Sequence, residues 1–222
     1  MNSFKLIRTG VAVRPLLDEL AAVTDAWQQQ TGRQEKVRVQ REALAIPLRG
    51  LRKSRCHGRA RRDVQESRWT TGSTRFPGLC TLISKVAEEL ECEPGRAKVV
   101  CLPAGRRVYP HIDRGEYYRL HERHHLVLRS SLGSWLRAGD EEVRMREGEL
   151  WWFDNRAVHE AFNDGAEDRI HLIFDLLPRA RLALAREQLH EARHREEGMT
   201  LPLRAAWGAA QQGAEVPRNH AG

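Results

Sequence analysis

Between Lys98 and Leu177 the chain breaks into short extended runs with no helical stretch between them, and this constrains the fold more than any other feature. The runs are Lys98–Leu102, Arg106–Asp113, His124–Ser130, Glu142–Met145, Glu149–Asp154, Ala157–Asn163 and Arg169–Leu176. Turn signals separate them: Pro103-Ala104-Gly105, Ser131-Leu132-Gly133, Ala138-Gly139-Asp140, Glu147-Gly148 and Asn163-Asp164-Gly165. Parallel strands need long crossovers, usually helical, so a parallel α/β fold is disfavoured. Short strands punctuated in this way predict a mainly β chain built as a jelly roll of the cupin kind.

Helices flank that segment. Leu16, Leu17, Leu20 and Ala21 recur at helical spacing within 13–30. Residues 77–91 carry the cleaner stripe, Leu79, Leu82, Ile83, Val86, Ala87 and Leu90, with Pro77 suited to a first turn. Residues 37–49 read as extended, Pro47 favouring a sheet edge. Arg49 to Arg68 is strongly basic and is read as a surface loop; the functional alternative is a flap that meets an anionic substrate. After Pro178 an alanine-rich basic helix is expected to about Arg195, and Gly213–Gly222 to be loose. A single domain over 1–222 is expected, with a helical and extended N-terminal region over 1–97, a β core over 98–177 and a C-terminal helix and tail over 178–222.

Composition narrows the class. The chain is 41% hydrophobic and 30% charged, a globular balance. No apolar run approaches the ~20 residues that span a bilayer, and Met1 to Gly10 does not read as a signal peptide. The cysteines, Cys56, Cys80, Cys92 and Cys101, have no CxxC spacing and read as thiols of a reducing cytoplasm. Net charge is +7, almost all of it from arginine. That excess suits nucleic acid, an anionic surface or an acidic peptide, and equally a bias of base composition. Nucleic acid is disfavoured because the basic stretch has no interleaved aromatic residue, Trp69 being the one close by.

Six of the ten histidines fall between 111 and 171. On a strand, His111 and Asp113 would share a face, the shortest way to offer an imidazole and a carboxylate to one ion. His159 follows 46 residues later. Two imidazoles and a carboxylate hold non-haem Fe(II) on one face and leave the opposite face open. Arg169 lies across the turn Asn163-Asp164-Gly165, and antiparallel pairing over that turn would bring it into the barrel with His171. Its guanidinium can grip a carboxylate with two parallel bonds; a surface pair with Asp164, Glu167 or Asp168 is the plainer alternative. His121, Arg123 and His125 would alternate onto one side of a strand as an anion-binding wall, with His124 on the other, facing solvent. Trp151-Trp152-Phe153 is core, with one ring available to shield the site. Glu149 and Asp154 are acidic candidates without a supporting spacing.

The ordered set resembles the aspartyl/asparaginyl β-hydroxylase family of Fe(II)- and 2-oxoglutarate-dependent dioxygenases. The matching string runs Leu102-Pro103-Ala104-Gly105, Val108 to Asp113, Arg123-His124-His125-Leu126, Gly148 to Asn155, His159 and Arg169 to Asp175. Arg38 to Arg41 and Ile46 to Arg49 match more loosely. The resemblance implies a double-stranded β-helix core with His111, Asp113 and His159 as iron ligands. It assigns Arg169 to the distal carboxylate of 2-oxoglutarate, and His125, with Arg123 near, to the other end of that co-substrate. Some members lack the carboxylate ligand; Asp113 supplies it here. The implied activity is hydroxylation of an unactivated C–H bond with O2, ascorbate being a possible stimulant. The expected substrate is the β-carbon of an Asp or Asn residue in a peptide or small protein, with a free amino acid or other small metabolite as runner-up. A non-catalytic cupin-like metal-binding module would keep the three ligands without needing Arg169 or His125. Oligomeric state is not legible.

Overall fold

The computed structural model describes residues 3–27, 38–51 and 65–187. Eleven strands form two antiparallel sheets, in chain order β1 (Phe4–Arg8), β2 (Leu44–Gly50), β3 (Arg68–Trp69), β4 (Cys92–Leu102), β5 (Arg106–His111), β6 (Glu122–Arg129), β7 (Ser134–Ala138), β8 (Glu141–Val143), β9 (Leu150–Phe153), β10 (His159–Asn163) and β11 (Arg169–Pro178). The larger sheet has the order β1-β9-β6-β11-β4-β2-β3 and the smaller the order β5-β10-β7-β8. From β4 onward the chain alternates between the sheets, apart from the β7–β8 hairpin. That alternation is the jelly roll expected from the spacing of turns.

Helices α1 (Arg14–Ala21), α2 (Pro77–Glu89) and α3 (Glu116–Leu120) accompany the sheets. The stripe of α2 buries Leu79, Ile83, Val86 and Ala87 in a cluster with Leu16 and Leu20 of α1 and with Val99, Leu172, Phe174 and Leu176 of the large sheet. Leu79 and Ile83 are fully buried, each contributing about 1.5–3 kcal/mol relative to exposure. Strand residues of alternate parity face the other way, into the barrel. There Leu102, Val127, Leu136, Ala138, Phe153 and Ala161 make a second apolar cluster.

Several boundaries differ from the reading of the sequence. Helix α1 ends at Ala21, well inside the expected 13–30, of which 28–30 lie outside the described residues. The segment expected as extended over 37–49 opens with a 3-10 turn at Arg38–Gln40 before β2 begins; residue 37 lies outside the described residues. Strand β4 starts at Cys92, well before Lys98. Strands β1 and β7 and helix α3 were not expected. Their runs are too short for a periodic signal, and pairing with β9 and β10 supplies what local propensity does not. Within the basic stretch, residues 52–64 lie outside the described set, while Arg49 and Arg68 sit in β2 and β3. Contacts divide the chain into one unit over Met1–Leu182 and a second over Ala183–Gly222. Residues 182–187 are helical, and the expected continuation to Arg195 and the tail fall outside the described residues.

Pro47 behaves as expected of a proline at a sheet margin. Strand β2 pairs with β4 from Leu44 to Pro47 and again at Arg49 but meets the two-residue β3 only at Arg49 and Gly50, so the missing N–H of Pro47 costs no ladder bond on the β3 side. Opposite, β4 carries a bulge. Phe174 pairs with Ala97 and Leu176 with Pro94, which leaves Gly95 and Arg96 facing Asp175 alone. Arg49 satisfies the carbonyls there, donating from Nε to Gly95 O at 3.0 Å and from Nη2 to Pro94 O at 2.9 Å. A Cβ at residue 95 would lie 2.5 Å from the Tyr117 hydroxyl and 2.9 Å from Asp175 O. Gly95→Ala should therefore destabilise the fold by about 1–3 kcal/mol through overpacking, whereas Gly50→Ala, whose Cβ meets nothing within 4 Å, should stay within ~0.5 kcal/mol. Denaturant midpoints of the two variants check this; equal midpoints would show that the bulge relaxes freely.

Candidate metal centre and anion pocket

Side chains from two distant stretches of the chain, His111 with Asp113 and His159, meet inside the barrel. His111 ends β5 and His159 begins β10, and the antiparallel register sets them directly opposite each other. Their ring centroids are 4.2 Å apart. One donor atom from each of His111, Asp113 and His159 can be chosen so that all lie within 4.8 Å of one another. The local cause is a bulge in β5. His159 pairs with His111 but Ala161 pairs with Val108, so Tyr109-Pro110 adds a residue to β5. β5 is the sheet edge, where a proline is tolerated, and the bulge turns His111 inward.

Asp113 reaches the site by another route than expected. It lies beyond the end of β5, so same-face geometry on a strand does not present it. Asn155 does: Asp113 N donates to Asn155 O at 3.1 Å, and Asn155 Nδ2 donates to Asp113 Oδ2 at 3.1 Å. Arg123 Nη1 also donates to Oδ2. The imidazoles are held in a matching way. His111 Nδ1 donates to Tyr109 O at 2.7 Å and His159 Nδ1 to Ala157 O at 3.0 Å. A carbonyl only accepts, so Nδ1 of each ring carries the proton and Nε2 keeps its lone pair for a cation.

The electrostatics suit a divalent metal. Burial pushes the Asp113 carboxyl up, but Arg123, His159 and the Asn155 bond outweigh it and hold the group down at about 2. Burial, with His111 and Arg123 adding to it, pushes His159 down to about 4 against the pull of Asp113. Both groups therefore stand deprotonated at neutral pH, the form in which they bind metal. Two imidazoles and one carboxylate, oriented by their own hydrogen bonds, fit the ligand set of non-haem Fe(II).

Arg169 comes from the opposite sheet. Strands β10 and β11 do not pair; β10 lies between β5 and β7, and β11 between β4 and β6. The turn at 163–168 therefore crosses between sheets instead of closing a hairpin. Buried Asn163 pins it, its Nδ2 donating to Leu102 O at 2.9 Å and to Glu167 O at 2.8 Å. This sets Arg169 opposite Leu102. The side chain is buried, not paired at the surface with Asp164, Glu167 or Asp168. Its contacts are imidazoles: Nε lies 3.0 Å from His171 Nε2, and His171 Nδ1 lies 3.3 Å from His125 Nδ1. Among the described residues no acid pairs with Arg169. Burial alone brings its pKa down to about 10, and it remains a cation at neutral pH. Burial and the neighbouring Arg169 push His171 well below its usual range, and burial, with His171 and Arg169 adding to it, does the same to His125. His111, His159, Arg169, His125 and Arg123 line one cavity, walled by Val100, Val108, Leu136, Phe153, Ala161 and Ile173.

Other candidates fall elsewhere. His121 is not on the strand with Arg123 and His125; it follows α3 and stacks on Tyr117 with centroids 3.8 Å apart. His124 is not solvent-facing but buried against Phe174. Glu149 accepts from Trp151 Nε1 at 2.9 Å and Asp154 pairs with Arg156; neither lines the cavity. Arg123 is engaged by two carboxylates, Asp113 and Asp175. Asn155, Asp175, Lys98 and Gln40 were not picked out from the sequence as site residues. Asp175 had a signal, an acid amid the apolar run from Ile170 to Leu177; Asn155 in its turn had none.

Two imidazoles and a carboxylate meeting inside a barrel, with a buried cation lining the same cavity, fit an Fe(II)- and 2-oxoglutarate-dependent oxygenase. The sequence profile described as aspartyl/asparaginyl beta-hydroxylase matches residues 16–178. The chain belongs to that family and is an oxygenase enzyme of this class. No curated protein matches the chain significantly in sequence. Among solved structures, a prolyl hydroxylase from Trichoplax adhaerens in complex with a hypoxia inducible factor oxygen degradation domain peptide fragment is similar in fold. Its TM-score is 0.53 and its identity 15%, over 83% of this chain and 87% of that one. A Pseudomonas putida prolyl-4-hydroxylase aligns with TM-score 0.45 and 15% identity, over 81% and 94% of the two chains.

His121, His124 and His159 are each held near 4, burial being the largest cause. An unfolded histidine titrates near ~6.5, so below that pH the unfolded chain binds protons that the folded one refuses. Stability should be full above about pH 6.5 and fall steadily as pH drops toward about 4. Chemical denaturation of the metal-free protein across this window checks the sign; a midpoint that is flat or rises on acidification would contradict it.

Proposed function

We propose that this enzyme hydroxylates an unactivated C–H bond at the β-carbon of an Asp or Asn residue within a peptide or small protein. The buried Arg169, a cation without an acidic partner among the described residues, is the observation that carries the use of a 2-oxo acid co-substrate, and the Asp or Asn β-carbon rests on the matching family profile. An isolated buried charge is costly, and a carboxylate delivered by a ligand answers it with two parallel charge-assisted bonds. A module that only held metal would have no use for it.

His111, Asp113 and His159 would hold the iron. Bound there with 2-oxoglutarate and O2, the iron supplies the oxidising power that side chains lack. The protein's own work is then positional. Arg169 holds the distal carboxylate of the co-substrate, His125 stands along the path toward the metal, and the apolar wall of Val100, Leu136, Phe153 and Ala161 excludes water. Ascorbate would stimulate by keeping the iron reduced.

Lys98 and Gln40 support a substrate carrying a carboxylate or carboxamide. Both line the same cavity, and Lys98 Nζ donates to Gln40 Oε1 at 3.4 Å. Lys98 pairs with Ile173 while Leu102 pairs with Arg169. Four residues of strand separate the two levels, about 13 Å, so Lys98 and Arg169 serve different groups. A free amino acid is the runner-up. No described helix is long and apolar enough to cross a membrane, and Cys80, Cys92 and Cys101 are free thiols; we take the cytoplasm as the site of action.

Purified protein supplied with Fe(II), ascorbate and 2-oxoglutarate should convert the co-substrate slowly to succinate, and faster with an Asp- or Asn-containing peptide that gains one oxygen atom by mass spectrometry. Arg169→Ala should raise KM for 2-oxoglutarate by a factor of about 10–100, the loss of a charged hydrogen-bonding partner. His159→Ala should abolish turnover while leaving the far-UV circular dichroism spectrum intact. Iron-dependent turnover that survives His159→Ala, or an unchanged KM in Arg169→Ala, would assign those roles elsewhere.

A further inference from the structure

Behind Asp113 stands a chain of charged groups that metal ligation alone does not require. Arg123 on β6 and Asp175 on β11 are cross-strand neighbours. Their contact is a two-bond fork, Arg123 Nε to Asp175 Oδ1 at 2.8 Å and Nη2 to Oδ2 at 3.1 Å. The remaining nitrogen, Nη1, donates to Asp113 Oδ2. The side chain of Asp175 is 2% exposed, that of Arg123 11% and that of Asp113 13%, so the chain is poorly screened by solvent. Tyr118 flanks it, with the Arg123 guanidinium 5.1 Å from the ring centroid.

Two consequences follow from the atoms involved. Arg123 and Asn155 both donate to the same oxygen of Asp113, Oδ2. Oδ1 is thereby the oxygen turned to a cation, and Asp113 is prepared as a one-oxygen ligand. The second consequence is charge balance. An arginine beside a metal ligand repels the metal, but two carboxylates around one guanidinium leave the cluster with an excess negative charge. A bidentate fork is also rigid: it sets the plane of the guanidinium, and so the position of Nη1.

We propose that Asp175 is a positioning residue for the metal centre. Through Arg123 it holds Asp113 as a one-oxygen ligand, and its charge offsets the guanidinium so that the ion does not face an unbalanced cation. This rests on the reading of His111, Asp113 and His159 as ligands. It also gives Arg123 a duty apart from any contact with the co-substrate, one created by the presence of Asp113.

The test is metal affinity, read without turnover. Apo protein is titrated anaerobically with Co(II) and Ni(II) by calorimetry, and the visible d–d bands of the Co(II) form are recorded. Asp175→Asn keeps the shape of the side chain and removes its charge. It should weaken binding of both ions by about 10–100-fold, the usual effect of losing a group that orients a ligand, and change the intensity of the Co(II) bands. Arg123→Gln added to Asp175→Asn should recover part of that affinity, because the unbalanced guanidinium is gone; a purely structural role of Asp175 predicts no recovery. Arg123→Lys serves as a second probe should Asp175→Asn not fold, since an ammonium cannot bridge both carboxylates with a fork; it should weaken binding by a similar factor. Unchanged affinity and unchanged Co(II) bands in a folded Asp175→Asn or Arg123→Lys protein would overturn the proposal. Failure of the unaltered protein to bind either ion would overturn both the proposal and the ligand assignment beneath it, a result distinguishable from the first.

Discussion

Register between β5 and β10 is the constraint on which the site depends. His111 and His159 can face one ion only because these strands pair antiparallel with those two residues opposite each other. Side chains alternate with a period of two, so a slip of one residue would carry His159 to the outer face of the barrel. The pairing is defended on both sides. β10 is also bonded to β7, where His159 meets Ala138, a residue small enough to leave room for the ring. On the β5 side the Tyr109-Pro110 bulge lets one strand gain a residue on the other without losing the His–His pair. Buried Asn163, bonded across to Leu102, anchors the far end of β10.

From that register the rest of the cavity follows by sheet geometry. β11 lies between β4 and β6, so its inward residues Arg169, His171, Ile173 and Asp175 alternate along the middle of the large sheet. Arg123 and His125 on β6 meet the Asp175 and Ile173 levels from one side, and Lys98 meets the Ile173 level from the other. The site is thus a column of polar groups on one sheet facing a pair of imidazoles on the other. Asp113 and Asn155, outside the strands, close the gap between them.

What was legible in the sequence was whatever depends on composition within a run: the turns of the β segment, the α2 stripe, the clustering of histidines and the ordered family string. What was not legible depends on partners distant in the chain. Strand β7 lies between two turns that were recognised, yet its own five residues carry no periodic pattern long enough to read. His111 and Asp113 looked like a same-face pair on one strand, and the two side chains do meet His159, but Asp113 is presented by Asn155 from a turn 42 residues away. Arg169 was expected to enter by a hairpin and enters instead by a crossover between sheets, because β10 already has both its edges occupied. His121 misled because the strand begins at Glu122, so parity counted from His121 describes a residue that is not on it; His124 has the expected parity, but the face it occupies is covered and the ring stacks on Phe174.

The two ends of the cavity treat buried charge in opposite ways, and the contrast separates what the fold needs from what a ligand must bring. Arg123 is neutralised within the protein by two carboxylates, so its burial is compensated whether or not anything is bound. Arg169 touches imidazoles that are themselves neutral and cannot offset it; their own depressed basicity partly reflects its presence. A fold selected for stability alone would replace Arg169 by an apolar residue, since burying an unpaired charge costs several kcal/mol. A carboxylate arriving from outside would compensate it. Binding to the folded state alone then returns stability by mass action. On the proposed reading, the same buried guanidinium would anchor one carboxylate of the co-substrate at the Leu102 level.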